Sequence, residues 1–210
     1  MSKTNYKRVA VTGSTGMLGS HLVAELLRRG YGDVVLPVRS LARLGALEAT
    51  LRRERLLSGA PENECEKLGI PCGVASLPAL HPVEVALNDP NGLREAFAGV
   101  DAVFHCAAAV SLGDDDAQEL IETNVEMTEH VVDAAIACRV RRLVHTSSVA
   151  ALGEARPGET LIDESCELEN ISGTAPYGVS KFFSENRASR GVLQGLEVVI
   201  VNPGIILGAG

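Results

Sequence analysis

Apolar residues along the chain fall into two patterns, short β-branched blocks and longer stretches that repeat at helical spacing. The blocks at 9–12, 33–39, 82–87, 102–106, 142–145 and 197–202 have the length and Val/Ile/Leu/Phe content of strands. Between the first two, Leu18, Leu22, Leu26 and Leu27 mark one helix face. Across 117–138, Leu120, Ile121, Val125, Val131, Val132 and Ile136 do the same. Further helices are predicted at 41–57, which is basic and amphipathic, at 92–98, and from Pro176 toward Ser189. Strand and helix in alternation predict an α/β fold, a doubly wound parallel sheet of order 3-2-1-4-5-6. Pro37 cannot donate to a ladder, so it belongs at a bulge or near a strand end. Residues 58–82 are rich in Pro and Gly and exceed the usual connection of about 2–6 residues. The region 41–82 therefore reads as a long insertion, one that walls the site, binds a partner or is a surface decoration.

The first strand runs into three glycines, Gly13, Gly16 and Gly19, spaced three apart, and a helix follows them. Gly13 allows a sharp turn, Gly16 a close backbone approach to a pyrophosphate, and Gly19 close packing of helix on strand. Phosphates would meet free N–H groups and the positive end of the helix dipole. A glycine-rich turn in an unrelated α/β protein would look similar, but the strand before and the helix after are the context a dinucleotide site requires. Arg39 stands about twenty residues beyond Gly19, where an acidic residue binds the ribose hydroxyls of NAD and an arginine accommodates the 2′-phosphate of NADP. With Arg43 one helical turn on, the pattern favours NADP, with NAD as the alternative. A solvated arginine at a strand end is the plainer explanation of Arg39.

Composition narrows the class. The 210 residues suit one domain, and 46% hydrophobic content suits a sheet covered on both faces. A net charge of -8 and the absence of Trp leave neither a basic stripe nor a stacking platform for nucleic acid. Five cysteines and five histidines form no ligand cluster. No apolar run approaches the ~18 residues of a membrane span, and no signal core precedes the first strand, so the expected location is cytoplasmic.

Candidate chemistry lies at the strand ends. Cys106, Ala107, Ala108 and Ala109 are small residues that would let a flat cofactor, or a helix, pass close to the backbone. Thr146, Ser147 and Ser148 put hydroxyls at the sheet edge where open α/β sheets bind ligands. Tyr177 and Lys181 are four apart, on one helix face. Asn124, inside the long helix, needs partners for its amide.

In order along the chain, TGSTGMLG (12–19), HCAA (105–108), Asn124, TSSVAALG (146–153), YGVSK (177–181) and VNPGIILG (201–208) resemble the extended short-chain dehydrogenase/reductases, or NAD-dependent epimerase/dehydratase family. The resemblance covers essentially the whole chain and implies a Rossmann domain. By it, Ser148, Tyr177 and Lys181 are the catalytic triad with Asn124 in support. The cofactor would meet Gly13, Thr15, Gly16, Met17, Gly19, Arg39, Arg43, Leu87, Cys106, Ala107, Ala108, Thr146, Tyr177 and Lys181. Pro203, Gly204 and Ile205 would lie beside the nicotinamide. Carbonyl reduction needs a proton on the developing alkoxide, and a Lys181 ammonium and a positive nicotinamide would lower the Tyr177 pKa toward that task. Ser148 would hold the substrate oxygen. Two departures stand out: Ala86 occupies the place of an adenine-binding Asp, leaving adenine to backbone and Leu87, and the family's smaller C-terminal substrate domain is missing from the sequence ending at Gly210.

The leading functional expectation is an NADP-dependent reductase of a small-molecule ketone or aldehyde, similar to the dihydroflavonol-reductase-like branch. The runner-up is an NAD-dependent sugar-nucleotide epimerase or dehydratase. Val149-Ala150 after Ser148, where dehydratases carry an acidic pair, and Arg39, where epimerases favour an acid, both point to the reductase. A non-catalytic NADP-binding sensor is the third possibility, disfavoured because Ser148, Tyr177 and Lys181 are all kept. The resemblance further implies a homodimer through the helices after strands four and five.

Overall fold

The structure is a computed structural model that describes residues 6–57, 74, 77, 79–110, 116–158 and 160–208. Most of the predicted 58–82 connection lies outside the described residues. The elements run β1 (Val9–Thr12), α1 (Met17–Arg28), β2 (Val34–Val38), α2 (Leu44–Arg53), β3 (Leu80–Glu84), α3 (Pro90–Ala96) and β4 (Ala102–His105). Then come α4 (Ala117–Ala137), β5 (Arg142–Thr146), α5 (Pro176–Arg190) and β6 (Glu197–Val201). All neighbouring strands are parallel and their order is β3-β2-β1-β4-β5-β6, as the element pattern predicts.

Strand alternation divides the core in two. Val9, Val11, Val34 and Leu36 point to one side, where they bury Val23, Leu26, Leu44 and Leu47 of α1 and α2. Ala10, Val35, Val103 and Leu143 point to the other, against Leu93, Phe97, Val131 and Ala188 from α3, α4 and α5 and the turns beside them. Each fully buried Val, Leu or Phe stabilises the fold by about 1.5–3 kcal/mol relative to exposure. The two-sided cover expected from composition fails at β6. Val198 packs on the α4 side, but Val199 and Val201 face the α1 side and stay 37% and 42% exposed, because the core formed with α1 and α2 extends only as far as Ala102 and Phe104 of β4.

Element boundaries differ from expectation in three places. The basic helix predicted to reach residue 57 ends at Arg53, after a short 3-10 turn Leu41–Arg43, because Arg55 takes a left-handed φ of 57°. The third strand begins at Leu80 and ends at Glu84, so Pro82 is inside it. An edge strand tolerates that proline. The helix predicted at 92–98 begins at Pro90, since the Asp89 carboxylate accepts from the Asn91 and Gly92 N–H groups and Pro90 fits the first turn. Pro37 is the penultimate residue of β2, near the strand end as required.

Candidate active site

Parallel strands bring their C-terminal ends to one edge, and there the turns after β1, β2, β4, β5 and β6 converge. Gly13 has a φ of 72°, and a Cβ on it would lie 2.6 Å from the Ala107 amide nitrogen. A Cβ on Gly19 would lie 2.1 Å from the Gly13 carbonyl oxygen. These two glycines let the first turn press against both the β4 turn and its own helix. Gly16 is different: it is exposed, caps α1 without any side-chain bond, and leaves the first-turn N–H groups facing outward.

Below this turn is a cleft of about 340 Å³. Gly13, Thr15, Gly16, Arg39, Arg43, Leu87, Cys106, Ala107 and Ala108 line it, as the sequence predicts. Pro37, Val38, Val85, Ala109, Thr123 and Met127 line it too and carried no signal beyond being apolar or small. Arg39 and Arg43 are exposed at one end of the cleft and make no ion pair with any described carboxylate. Free helix N–H groups, a floor without side chains at Gly13 and Gly16, and two uncommitted guanidiniums fit a dinucleotide phosphate. Met17 faces elsewhere, with Leu18 and His21 against Ile206 and Leu207. Gly19 packs internally, and Thr146, Tyr177, Lys181, Pro203, Gly204 and Ile205 do not line the cleft itself.

The second half of the site is built around Ser148. Its hydroxyl accepts from the Ala150 N–H at 3.1 Å and lies near enough to the half-buried Tyr177 phenol to pull that group's pKa down. Gly178 permits this approach. A Cβ there would lie 2.4 Å from the Ala150 carbonyl oxygen, so α5 could not come as close to the turn after Ser148. Lys181, 3% exposed, donates to the Thr146 carbonyl oxygen at 2.8 Å, with its Nζ 5.9 Å from the Tyr177 ring centre. Asn124 is satisfied on both sides: its amide oxygen accepts from the Ala109 N–H at 2.7 Å, and its NH₂ donates to the Ala109 carbonyl and to Ser180 Oγ, both at 3.0 Å. The turn after β6 joins the same group. Asn202 donates to the Glu185 carboxylate at 2.6 Å and to the Ser148 carbonyl at 3.1 Å, and Val149 N–H donates to the Pro203 carbonyl at 3.1 Å. Asn202 and Glu185 were not singled out by the sequence, although both stand in or beside its motifs.

In the protein alone, burial dominates the electrostatics of Tyr177 and Lys181. Burial pushes the Tyr177 phenol above its usual value, with the Ser148 hydroxyl pulling the other way. Burial also pushes Lys181 down to about 8, against the raising influence of Cys106 and Glu185. The Cys106 thiol is raised by burial and accepts from Thr146 Oγ1 at 3.6 Å. Among the described residues no group of three His, Cys, Asp or Glu side chains could hold a metal ion, and no helix is long and apolar enough to cross a membrane.

Comparison with known proteins decides the family. The sequence model described as NAD dependent epimerase/dehydratase family matches residues 9–210. The chain belongs to this family. Its members, the extended short-chain dehydrogenase/reductases, are NAD(P)-dependent oxidoreductases and epimerases. Within the epimerase/dehydratase family the chain is 34% identical over 201 residues to sterol demethylase protein B of Methylococcus capsulatus, covering 94% of this chain and 51% of that one. It is 32% identical over 208 residues to cinnamoyl-CoA reductase 1 of Petunia hybrida, covering 95% and 54%. Among solved structures, DesIV, a dTDP-glucose 4,6-dehydratase from Streptomyces venezuelae with NAD bound, superposes with a TM-score of 0.68 at 28% identity, covering 92% and 54%. The chain thus spans about half the length of the curated relatives it matches.

Proposed function

We propose that the protein reduces a ketone or aldehyde with NADP as cofactor. The observation that carries this reading is the joining of two half-sites at one sheet edge. One is a glycine-floored cleft lined by Arg39 and Arg43, and the other is the neighbouring pair Tyr177 and Ser148 backed by buried Lys181. Gly13, Gly16 and the first turn of α1 would hold the pyrophosphate, and Arg39 with Arg43 the 2′-phosphate. Reduced nicotinamide, when bound, supplies hydride to the carbonyl carbon. Ser148 hydrogen-bonds the carbonyl oxygen, and Tyr177 donates its proton there as negative charge develops. Because burial alone raises the phenol, its acidity has to come from Ser148 and from positive charge brought near it. The likeness to a relative named as a cinnamoyl-CoA reductase supports reduction as the reaction class.

The structure of DesIV with NAD favours a second reading, an NAD-dependent epimerase or dehydratase. Against it stand Val149 and Ala150, directly after Ser148, and two arginines with no acidic residue lining the cleft. Titration with NADPH and NADH side by side, followed by nicotinamide fluorescence, separates the readings. Preference for NADPH is the expected result. Preference for NADH, or a cofactor that co-purifies and does not exchange, would overturn the reductase reading. A homodimer through α4 and α5 is part of the proposal, motivated by an open groove between them where Ile121, Val125 and Phe183 stand beside Glu122, Asn186, Arg187 and Arg190. Light scattering that gives a monomer mass for the protein would remove it.

A further inference from the structure

Buried hydrogen bonds link the strand that leads into Gly13 to the helix that carries Tyr177, and His105 is the central link. Thr12 ends β1 and lies opposite His105 in the β1–β4 register. The Thr12 hydroxyl meets His105 Nδ1 at 2.7 Å, and on the far side of the ring Nε2 meets Thr128 Oγ1 at 3.2 Å. The Thr128 hydroxyl has one proton, and that proton goes to the Asn124 carbonyl oxygen at 2.8 Å, which can only accept. His105 Nε2 therefore carries a proton and donates it. In the neutral ring Nδ1 is then an acceptor, and the Thr12 hydroxyl donates to it. Thr12 Oγ1 in turn faces the Ala107 N–H at 3.5 Å. Beyond Thr128 the link passes through residue Asn124 itself, from its backbone carbonyl to its side-chain NH₂, which donates to Ser180 Oγ at 3.0 Å, and Ser180 donates to the Tyr177 carbonyl oxygen at 2.7 Å.

Thr12, His105, Thr128, Asn124 and Ser180 are each at most 3% exposed, so water does not compete for these bonds. Burial also keeps the ring neutral, holding His105 well below the usual histidine range.

We propose that His105, as its Nε2–H tautomer, is a positioning residue that holds the glycine turn and the Tyr177 helix in one fixed arrangement, so that cofactor and proton donor keep a set separation. The cofactor part rests on reading the cleft as an NADP site; the tautomer and the linkage do not. Neither His105 nor Thr128 lines the cleft. Thr128→Val is therefore informative, because it removes the ring's acceptor without touching the nucleotide, and Thr128→Ser restores the hydroxyl.

The experiment is ¹⁵N NMR of the imidazoles and backbone amides in the wild type and both variants, with NADPH titrations on the same samples. The expected wild-type ring has its proton on Nε2. Thr128→Val should shift the Gly13 and Tyr177 amides together and weaken NADPH about tenfold, the loss of one buried hydrogen bond, while Thr128→Ser returns both toward wild type. An Nδ1–H ring, amide shifts confined to α4, or unchanged NADPH affinity in Thr128→Val would each overturn the proposal. The wild-type tautomer keeps it falsifiable should Thr128→Val fail to fold. A wild type that binds neither NADPH nor NADH would sink the cofactor reading alone, and the tautomer with the amide shifts would still decide the linkage.

Discussion

Lowering the pH from 7.5 to 5 should destabilise this domain through its two buried histidines, His105 and His145, and the contribution of His145 is separable by substitution. His145, on β5 beside the edge strand, is 1% exposed, lies near His105 at a ring separation of 5.3 Å, and has no hydrogen-bond partner at either ring nitrogen among the described residues. Burial, with a smaller effect from the Lys181 charge, pushes its pKa down to about 3. In the unfolded chain an imidazole titrates near ~6.5. Between those values the unfolded state binds a proton that the native state refuses, so stability is complete above about pH 6.5 and falls as the pH drops toward 3. Each pH unit in that window removes ~1.4 kcal/mol, so pH 5 takes away about 2 kcal/mol through His145 alone. The figure depends on the unfolded value only, because pH 5 is well above the native one. Urea unfolding of the wild type and of His145→Leu at pH 7.5, 6 and 5 measures it. Carboxylates held low in the native state, such as Asp101 beside the Lys7 and Arg8 amides, act below about pH 4.5, under the lowest pH assayed. The variant should lose about 2 kcal/mol less than the wild type on going to pH 5. Parallel losses in the two proteins would refute the claim that the ring is buried neutral and unpartnered.

Three further outcomes are expected. Tyr177→Phe should leave NADPH affinity unchanged while carbonyl reduction falls by about 100–10,000-fold, the usual loss of a general acid, and full activity would remove Tyr177 from the mechanism. Arg39→Asp should weaken NADPH about tenfold or more and spare NADH in the same fluorescence titration; equal losses for both would make Arg39 structural. Gly178→Ala tests the close approach of α5. Helix propensity alone would make the alanine stabilising by about 1 kcal/mol, but the clash with the Ala150 carbonyl should reverse the sign and destabilise by about 1–3 kcal/mol, seen as a lower melting temperature.

Much of this molecule is written in local patterns. The strand order follows from six β-branched blocks alternating with helical ones, since right-handed crossovers leave few ways to wind such a chain. The glycine spacing and the four-residue step from Tyr177 to Lys181 announce a phosphate turn and a shared helix face, because both depend on backbone geometry within a few residues. The start of α3 was legible in principle from Asp89-Pro90, a cap whose bonds reach only two or three residues. Other features were decided by tertiary structure. The extent of β3 was set by pairing with β2, which places Pro82 opposite Leu36, and no property of the segment alone reveals that. Thr12 meets His105 across 93 residues and Asn124 meets Ser180 across 56. The upward push on Tyr177, the downward push on Lys181 and the exclusion of His145 from its proton are likewise products of burial. Periodicity reports which face of an element turns inward, but donor–acceptor pairing and desolvation depend on which groups arrive opposite it, and that is fixed only when the strands have found their neighbours.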